Sequence, residues 1–139
     1  MNKFAIATTE VANVCEACAR ILGQRPIAPT PDAIASALPG LDWKALPDWE
    51  EQRDDEIAAR SGLYDIAFSR ALFVVTEASL ASGQGGFVVD ARDLAQLVEQ
   101  HLSYFGECFF NGDVVIVEPE GRRVWLFHHE GQYVTISVP

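Results

Sequence analysis

Val114-Val115-Ile116-Val117-Glu118-Pro119-Glu120-Gly121-Arg122-Arg123-Val124-Trp125-Leu126-Phe127-His128-His129-Glu130-Gly131-Gln132-Tyr133-Val134-Thr135-Ile136-Ser137-Val138 holds three apolar runs separated by two turn sequences. β-Branched and aromatic residues dominate the runs, as they do in strands. Pro119-Glu120-Gly121 marks the first turn, proline presetting φ and glycine admitting a positive φ. Glu130-Gly131 marks the second. The predicted strands are 114–118, 122–128 and 133–138. In the last, Val134, Ile136 and Val138 alternate with Tyr133, Thr135 and Ser137, so one face is core and the other partly wet. The stretch reads as a three-stranded antiparallel meander.

Upstream of residue 108 the apolar period is helical instead. Val11, Val14, Cys15, Cys18, Ile21 and Leu22 share one face of a helix over 9–22, capped by Thr8 or Thr9 and stopped by Gly23 and Pro26. Thr30-Pro31-Asp32 opens a short second helix, with Ala33, Ile34, Ala37 and Leu38 as its apolar side and Pro39-Gly40 as its end. Residues 41–49 are too apolar for a free linker, so Trp43 and Leu46 are expected to pack down as a lid. A third helix is predicted over 48–60. A fourth, over 64–82, is apolar on several sides around Leu72 and Val75 and reads as the buried central helix. Gly83-Gln84-Gly85-Gly86 is a flexible break, and Phe87-Val88-Val89 a short strand. Asp90 then caps a fifth helix, Asp93 standing in capping-box position, with Leu94, Leu97, Val98, His101, Leu102 and Phe105 as its face and Gly106 as its stop. The fold class expected is α+β: one domain over 1–139, about five helices in the first two thirds, then the C-terminal three-stranded meander.

Size and composition agree with one globular domain. The chain has 139 residues, 49% hydrophobic and 22% charged, which is too apolar for disorder. No apolar run approaches the roughly 20 residues a bilayer span needs. The start, Met1-Asn2-Lys3-Phe4-Ala5-Ile6-Ala7, is a poor secretion signal because Thr8, Thr9 and Glu10 cut it short. Three cysteines are an odd count and make no disulfide framework. The reading is cytoplasmic, with reduced thiols.

Charge is the strongest global feature. The net formal charge is −10. Residues 48–100 hold eleven carboxylates against four arginines, whereas residues 1–47 balance four against four. Such a field repels nucleic acid and anionic lipid and steers basic partners. It also serves plain solubility.

No set of residues compels a catalytic, metal or cofactor reading, and none is assigned. Cys15-x-x-Cys18 lies mid-helix on an apolar stripe, where packing outweighs redox or metal work, and no second such pair completes a zinc site. His128-His129-Glu130 is not the helical zinc-protease pattern. On a strand its two histidines should point to opposite faces. His101 on the fifth helix reads as a satisfied core imidazole. Gly83-Gln84-Gly85-Gly86 precedes a strand and so is no phosphate loop. Arg122-Arg123 reads as protection of a sheet edge. The run Asp48-Trp49-Glu50-Glu51-Gln52-Arg53-Asp54-Asp55-Glu56 is either a solvated helix face or a negative patch with Trp49 as its anchor.

Asn111-Gly112-Asp113-Val114-Val115-Ile116-Val117-Glu118, followed by Val124-Trp125-Leu126-Phe127-His128-His129-Glu130, resembles the sheet region of SMI1/KNR4-like (SUKH) immunity proteins. There a Gly-Asp pair opens a strand, an acid ends it, and a later strand closes on aromatic-x-His-acid. That family's N-terminal helix with a Leu-Pro pattern has no counterpart here, and the helices-first order differs. The resemblance implies a cytosolic, non-catalytic protein that neutralises a cognate protein toxin, basic and often a nuclease. The partner-binding residues expected are Asp48, Trp49, Glu50, Glu51, Asp54, Asp55 and Glu56, with Glu118, Glu120, His129 and Glu130. Two rivals stand beside this: a small enzyme or metal- or ligand-binding domain using His101, His128, His129 and Cys108, and a self-associating structural adaptor that pairs through Trp43 or Trp49.

Overall fold

The computed structural model describes residues 7–23 and 25–139. The apolar start, residues 1–6, lies outside them. The described residues form seven strands and five α-helices. In chain order these are β1 (Ala7–Thr9), α1 (Val11–Leu22), α2 (Pro31–Ala37), β2 (Lys44–Ala45), α3 (Asp54–Arg60), β3 (Ala71–Thr76), α4 (Glu77–Ala81), β4 (Gly86–Asp90), α5 (Leu94–Phe105), β5 (Val114–Glu118), β6 (Arg123–His128) and β7 (Gln132–Ser137). Single 3-10 turns cover Trp49–Glu51, Leu63–Asp65 and Ala91–Asp93.

All seven strands join one sheet in the order β1-β4-β3-β5-β6-β7-β2, every pair antiparallel. This overturns the three-stranded C-terminal meander. β5, β6 and β7 do pair in sequence, but β3 hydrogen-bonds to β5 and carries the sheet onward to β4 and β1. Because β4 and β5 both run antiparallel to β3, they are parallel to each other. A parallel return needs a long crossover, and α5 supplies it.

Helices cover both faces of the sheet. Leu72, Val74, Phe87, Val89, Val114, Ile116, Trp125 and Phe127 pack against α3 and α5, joined by Phe109 and Phe110. Val75, Val115, Val117, Val124, Leu126 and Val134 pack against Val14, Cys18 and Ile21 of α1 and Ile34 of α2. Alternate residues of one strand thus enter different cores, as the period of two requires. β5 is buried along its whole length.

The same logic corrects the helix expected over 64–82. Leu72-Phe73-Val74-Val75 is apolar all round because it is a central strand with a core on each side, and a short apolar run does not separate that from a buried helix. The helical part shrinks to α4, begun by Thr76, whose hydroxyl accepts the Ser79 N–H at 3.1 Å. The helix expected over 48–60 splits: the 3-10 turn ends at an extended Gln52, and α3 starts at Asp54. Asp90 caps the 3-10 turn before α5 by accepting the Arg92 N–H at 3.0 Å, and forms no capping box with Asp93. Thr8 and Thr9 are strand residues, and Glu10 precedes α1 without a side-chain cap. Thr30 does cap α2, accepting the Ala33 N–H.

Lys44 and Ala45 pair with Tyr133 and Gln132 as a two-residue edge strand, and Leu46 is buried beside them. Arg123 is no edge guard, since β6 lies inside the sheet. In the β5–β6 turn it is Arg122, not Gly121, that takes a positive φ, 52°. Gly121 is required for closeness: a Cβ there would sit 2.0 Å from Glu118 Oε1.

Candidate functional site

Two groups of the polar residues singled out in the sequence lie at opposite ends of β6. One group lies at the β6–β7 turn. His128 ends β6, His129 and Glu130 form the turn, and Gly131 completes it at φ 82°. The turn bends the backbone, so the two imidazoles do not diverge as a regular strand would dictate. They stack, with ring centres 4.0 Å apart and planes 29° from parallel.

Each imidazole has a carboxylate. His128 Nε2 is 2.8 Å from Asp32 Oδ1, brought from the first turn of α2, and His128 Nδ1 accepts the Glu130 N–H at 3.1 Å. Asp113 Oδ1 lies 2.9 Å from His129 Nδ1 and accepts the His129 backbone N–H, also at 2.9 Å. The Asp113 hydrogen bond raises the His129 pKa above its ordinary value, burial opposes the rise, and the charges of Asp113, Asp32 and Glu130 add to it. The Trp43 ring stands edge-on to His128 at 6.2 Å.

The acidic segment meets the same turn. Leu46 N–H donates to the Gly131 carbonyl at 2.7 Å. Trp49 lies on Gly131, where a Cβ would come 2.2 Å from its Cδ1, and it packs edge-on against Phe127 at 5.3 Å. The tryptophan expected as a docking anchor is therefore half-buried and spent on the fold. Asp54 is also spent, its two oxygens accepting the Phe109 and Phe110 N–H groups at 2.7 and 3.1 Å. Asp48, Glu50, Glu51, Asp55 and Glu56 remain exposed. Arg53 offsets the last two through contacts of 3.3 and 3.5 Å. The Tyr64 hydroxyl, in the 3-10 turn after α3, is pushed up to about 12, first by burial, then by the charges of Glu99, Asp55 and Asp54.

The second group sits at the other end of β6, five residue steps or roughly 17 Å from His128. Glu118 is 0% exposed. Its carboxylate takes the Arg123 Nε at 2.5 Å and the Ser69 N–H at 2.5 Å, while Arg123 also donates to the Ala67 carbonyl at 2.7 Å. Glu118 thus ties the 67–69 segment to the sheet and presents nothing to a partner. Glu120 is exposed and 3.4 Å from Arg70.

The remaining candidates are dispersed. His101 is fully buried, with Nδ1 2.8 Å from the Glu107 carbonyl and Nε2 2.9 Å from the Thr76 hydroxyl. Since the carbonyl only accepts, the proton sits on Nδ1 and the Thr76 hydroxyl donates to Nε2. Burial pushes the Cys18 thiol up to about 11, and raises those of Cys15 and Cys108 as well. None is poised as a thiolate. Asp32 and Asp113 are legible in the sequence as a helix-opening and a strand-opening residue, but nothing local pairs them with the histidines. Asp32 meets His128 across 96 residues.

Together these features define an α+β domain with one antiparallel sheet between two helical layers and a polar site on a turn at the sheet's end. No family model, curated protein or solved structure matches the chain. No helix among the described residues is long and apolar enough to cross a membrane.

Proposed function

We propose that the protein is a non-catalytic binding protein that docks a cationic protein partner on the acidic surface beside the β6–β7 turn. The observation that carries this reading is the exposure of Asp48, Glu50, Glu51, Asp55 and Glu56 along one short segment, pinned in place by Leu46, Trp49 and Asp54. Three anchors, Leu46 buried and Trp49 and Asp54 half-buried, hold the five exposed carboxylates in fixed positions, which lowers the ordering cost of docking. Glu130 extends the surface across the turn. A net charge of −10 adds long-range steering toward a basic partner.

The resemblance of residues 111–130 to SUKH proteins points to an immunity protein and a basic, nuclease-type toxin as the form of this role. The expected interface differs from the one drawn from sequence: Asp54, Glu118 and the Trp49 ring drop out because the fold uses them, and Glu120 because it lies at the other end of β6 beside Arg70. The test is association kinetics with the polypeptide encoded by the neighbouring reading frame. Glu50→Lys, Glu51→Lys and Asp55→Lys combined should slow association by at least about tenfold at low salt, with dissociation changed less. Equal rates for the native and reversed proteins, or no binding by either, would count against the proposal.

A further inference from the structure

We infer that Asp32, His128 and His129 form a binding site for a divalent transition ion of the zinc class. Each offers a ligand atom, and the three atoms lie within 4.8 Å of one another. They come from three elements, the first turn of α2, the end of β6 and the β6–β7 turn, so the cluster exists only in the folded chain. Two imidazole nitrogens with one carboxylate oxygen is a donor set that suits zinc, and three protein ligands leave a position for water.

The surroundings match what such ligands need. Asp113 on Nδ1 of His129 leaves Nε2 as the lone-pair nitrogen of that ring, the carboxylate–histidine arrangement that orients metal-binding imidazoles. Trp43 flanks His128 and limits its rotation. The nearby carboxylates Asp113 and Glu130 favour a cation.

Without an ion, Nδ1 of His128 accepts the Glu130 N–H, which leaves the ring proton on Nε2, facing Asp32. An ion taken at Nε2 displaces that proton to water, and Nδ1 takes one up, so a neutral ring stays neutral. The Glu130 N–H then loses its acceptor.

The experiment is titration of the full chain with Zn²⁺ by calorimetry, repeated with Co²⁺ by visible absorption, with the amide spectrum recorded before and after zinc. The expected result is saturable one-to-one binding, tetrahedral cobalt bands and a displaced Glu130 amide resonance. Asp32→Asn, His128→Ala and His129→Ala should each weaken binding at least tenfold, and Asp113→Asn by roughly 10- to 100-fold. Asp32 is exposed and His129 half-exposed, so their variants keep the fold, which circular dichroism checks. A triple Cys15→Ser, Cys18→Ser, Cys108→Ser protein should bind as the native chain does. Absence of saturable binding, its survival in the double histidine variant, or its loss with the cysteines would overturn the assignment.

Discussion

Two buried polar residues show how single side chains are committed to the fold. Glu118 is a fully enclosed carboxylate whose charge is met by Arg123 and by the Ser69 N–H. Removing one partner of a buried pair leaves the other uncompensated. Arg123→Met should therefore lower the unfolding free energy in urea by about 3 kcal/mol, the lower end of the range for such pairs, because the arginine side chain keeps 25% exposure. An unchanged urea midpoint would show that the pair holds nothing together. His101 is the second case. Burial lowers its pKa, against the opposing pull of the Glu107 carbonyl and the charges of Asp54 and Glu107. An unfolded histidine titrates near 6.5, so as pH falls the unfolded chain binds the proton first. The stability at stake is complete above about pH 6.5 and is lost as pH falls through that value toward the lower folded pKa. His101→Gln keeps a donor and an acceptor without the titration, and should flatten the fall in stability as pH drops below about 6.5. An identical slope in the variant would contradict the neutral, buried assignment. His101 was legible as a satisfied core imidazole from its place on the apolar face of α5, whereas Glu118 looks like any strand-ending acid until Ser69 and Arg123 converge on it.

Elements were legible where a local rule acts alone. Thr30-Pro31-Asp32 announces α2 because cap, proline and dipole agree within three residues, and Thr30→Ala should cost about 1 kcal/mol in denaturation. The strands β5, β6 and β7 follow from alternation and turn residues. β3 was not legible, because a strand buried on both faces loses its alternation and looks like a helix core. Taken as helix, residues 71–76 conceal the link from β5 through β3 to β4, and hence the seven-stranded sheet. The stacking of His128 on His129 escaped for a related reason: the turn starts one residue earlier than strand geometry assumes. Sheet position makes a kinetic prediction. Amides of Val74, Val75, Val115 and Ile116 lie in central strands and should exchange with deuterium only through global unfolding. Those in the edge strands, Ala7–Thr9 and Lys44–Ala45, should exchange orders of magnitude faster. Fast exchange at Val74 and Val75 would contradict the central place of β3.

At the scale of the molecule, the question is which surface the charge serves. The sequence located the excess of carboxylates in the middle third of the chain. It could not divide them into those facing solvent and those used internally. The fold makes that division: Asp54 and Trp49 anchor the segment, Glu118 lies inside, and Asp48, Glu50, Glu51, Asp55 and Glu56 face outward. Other surfaces compete for the role. A groove of about 570 Å³ between α1 and the sheet is lined by Arg20, Arg122 and Phe73 among others, and α5 exposes Leu102 and Tyr104. The most direct test is amide chemical-shift mapping of the labelled protein against the polypeptide encoded by the neighbouring reading frame, the partner proposed above. The perturbed amides should form one patch over residues 48–56 and 129–131. Perturbations confined to the α1 groove or to Leu102 and Tyr104, with residues 48–56 unmoved, would contradict it.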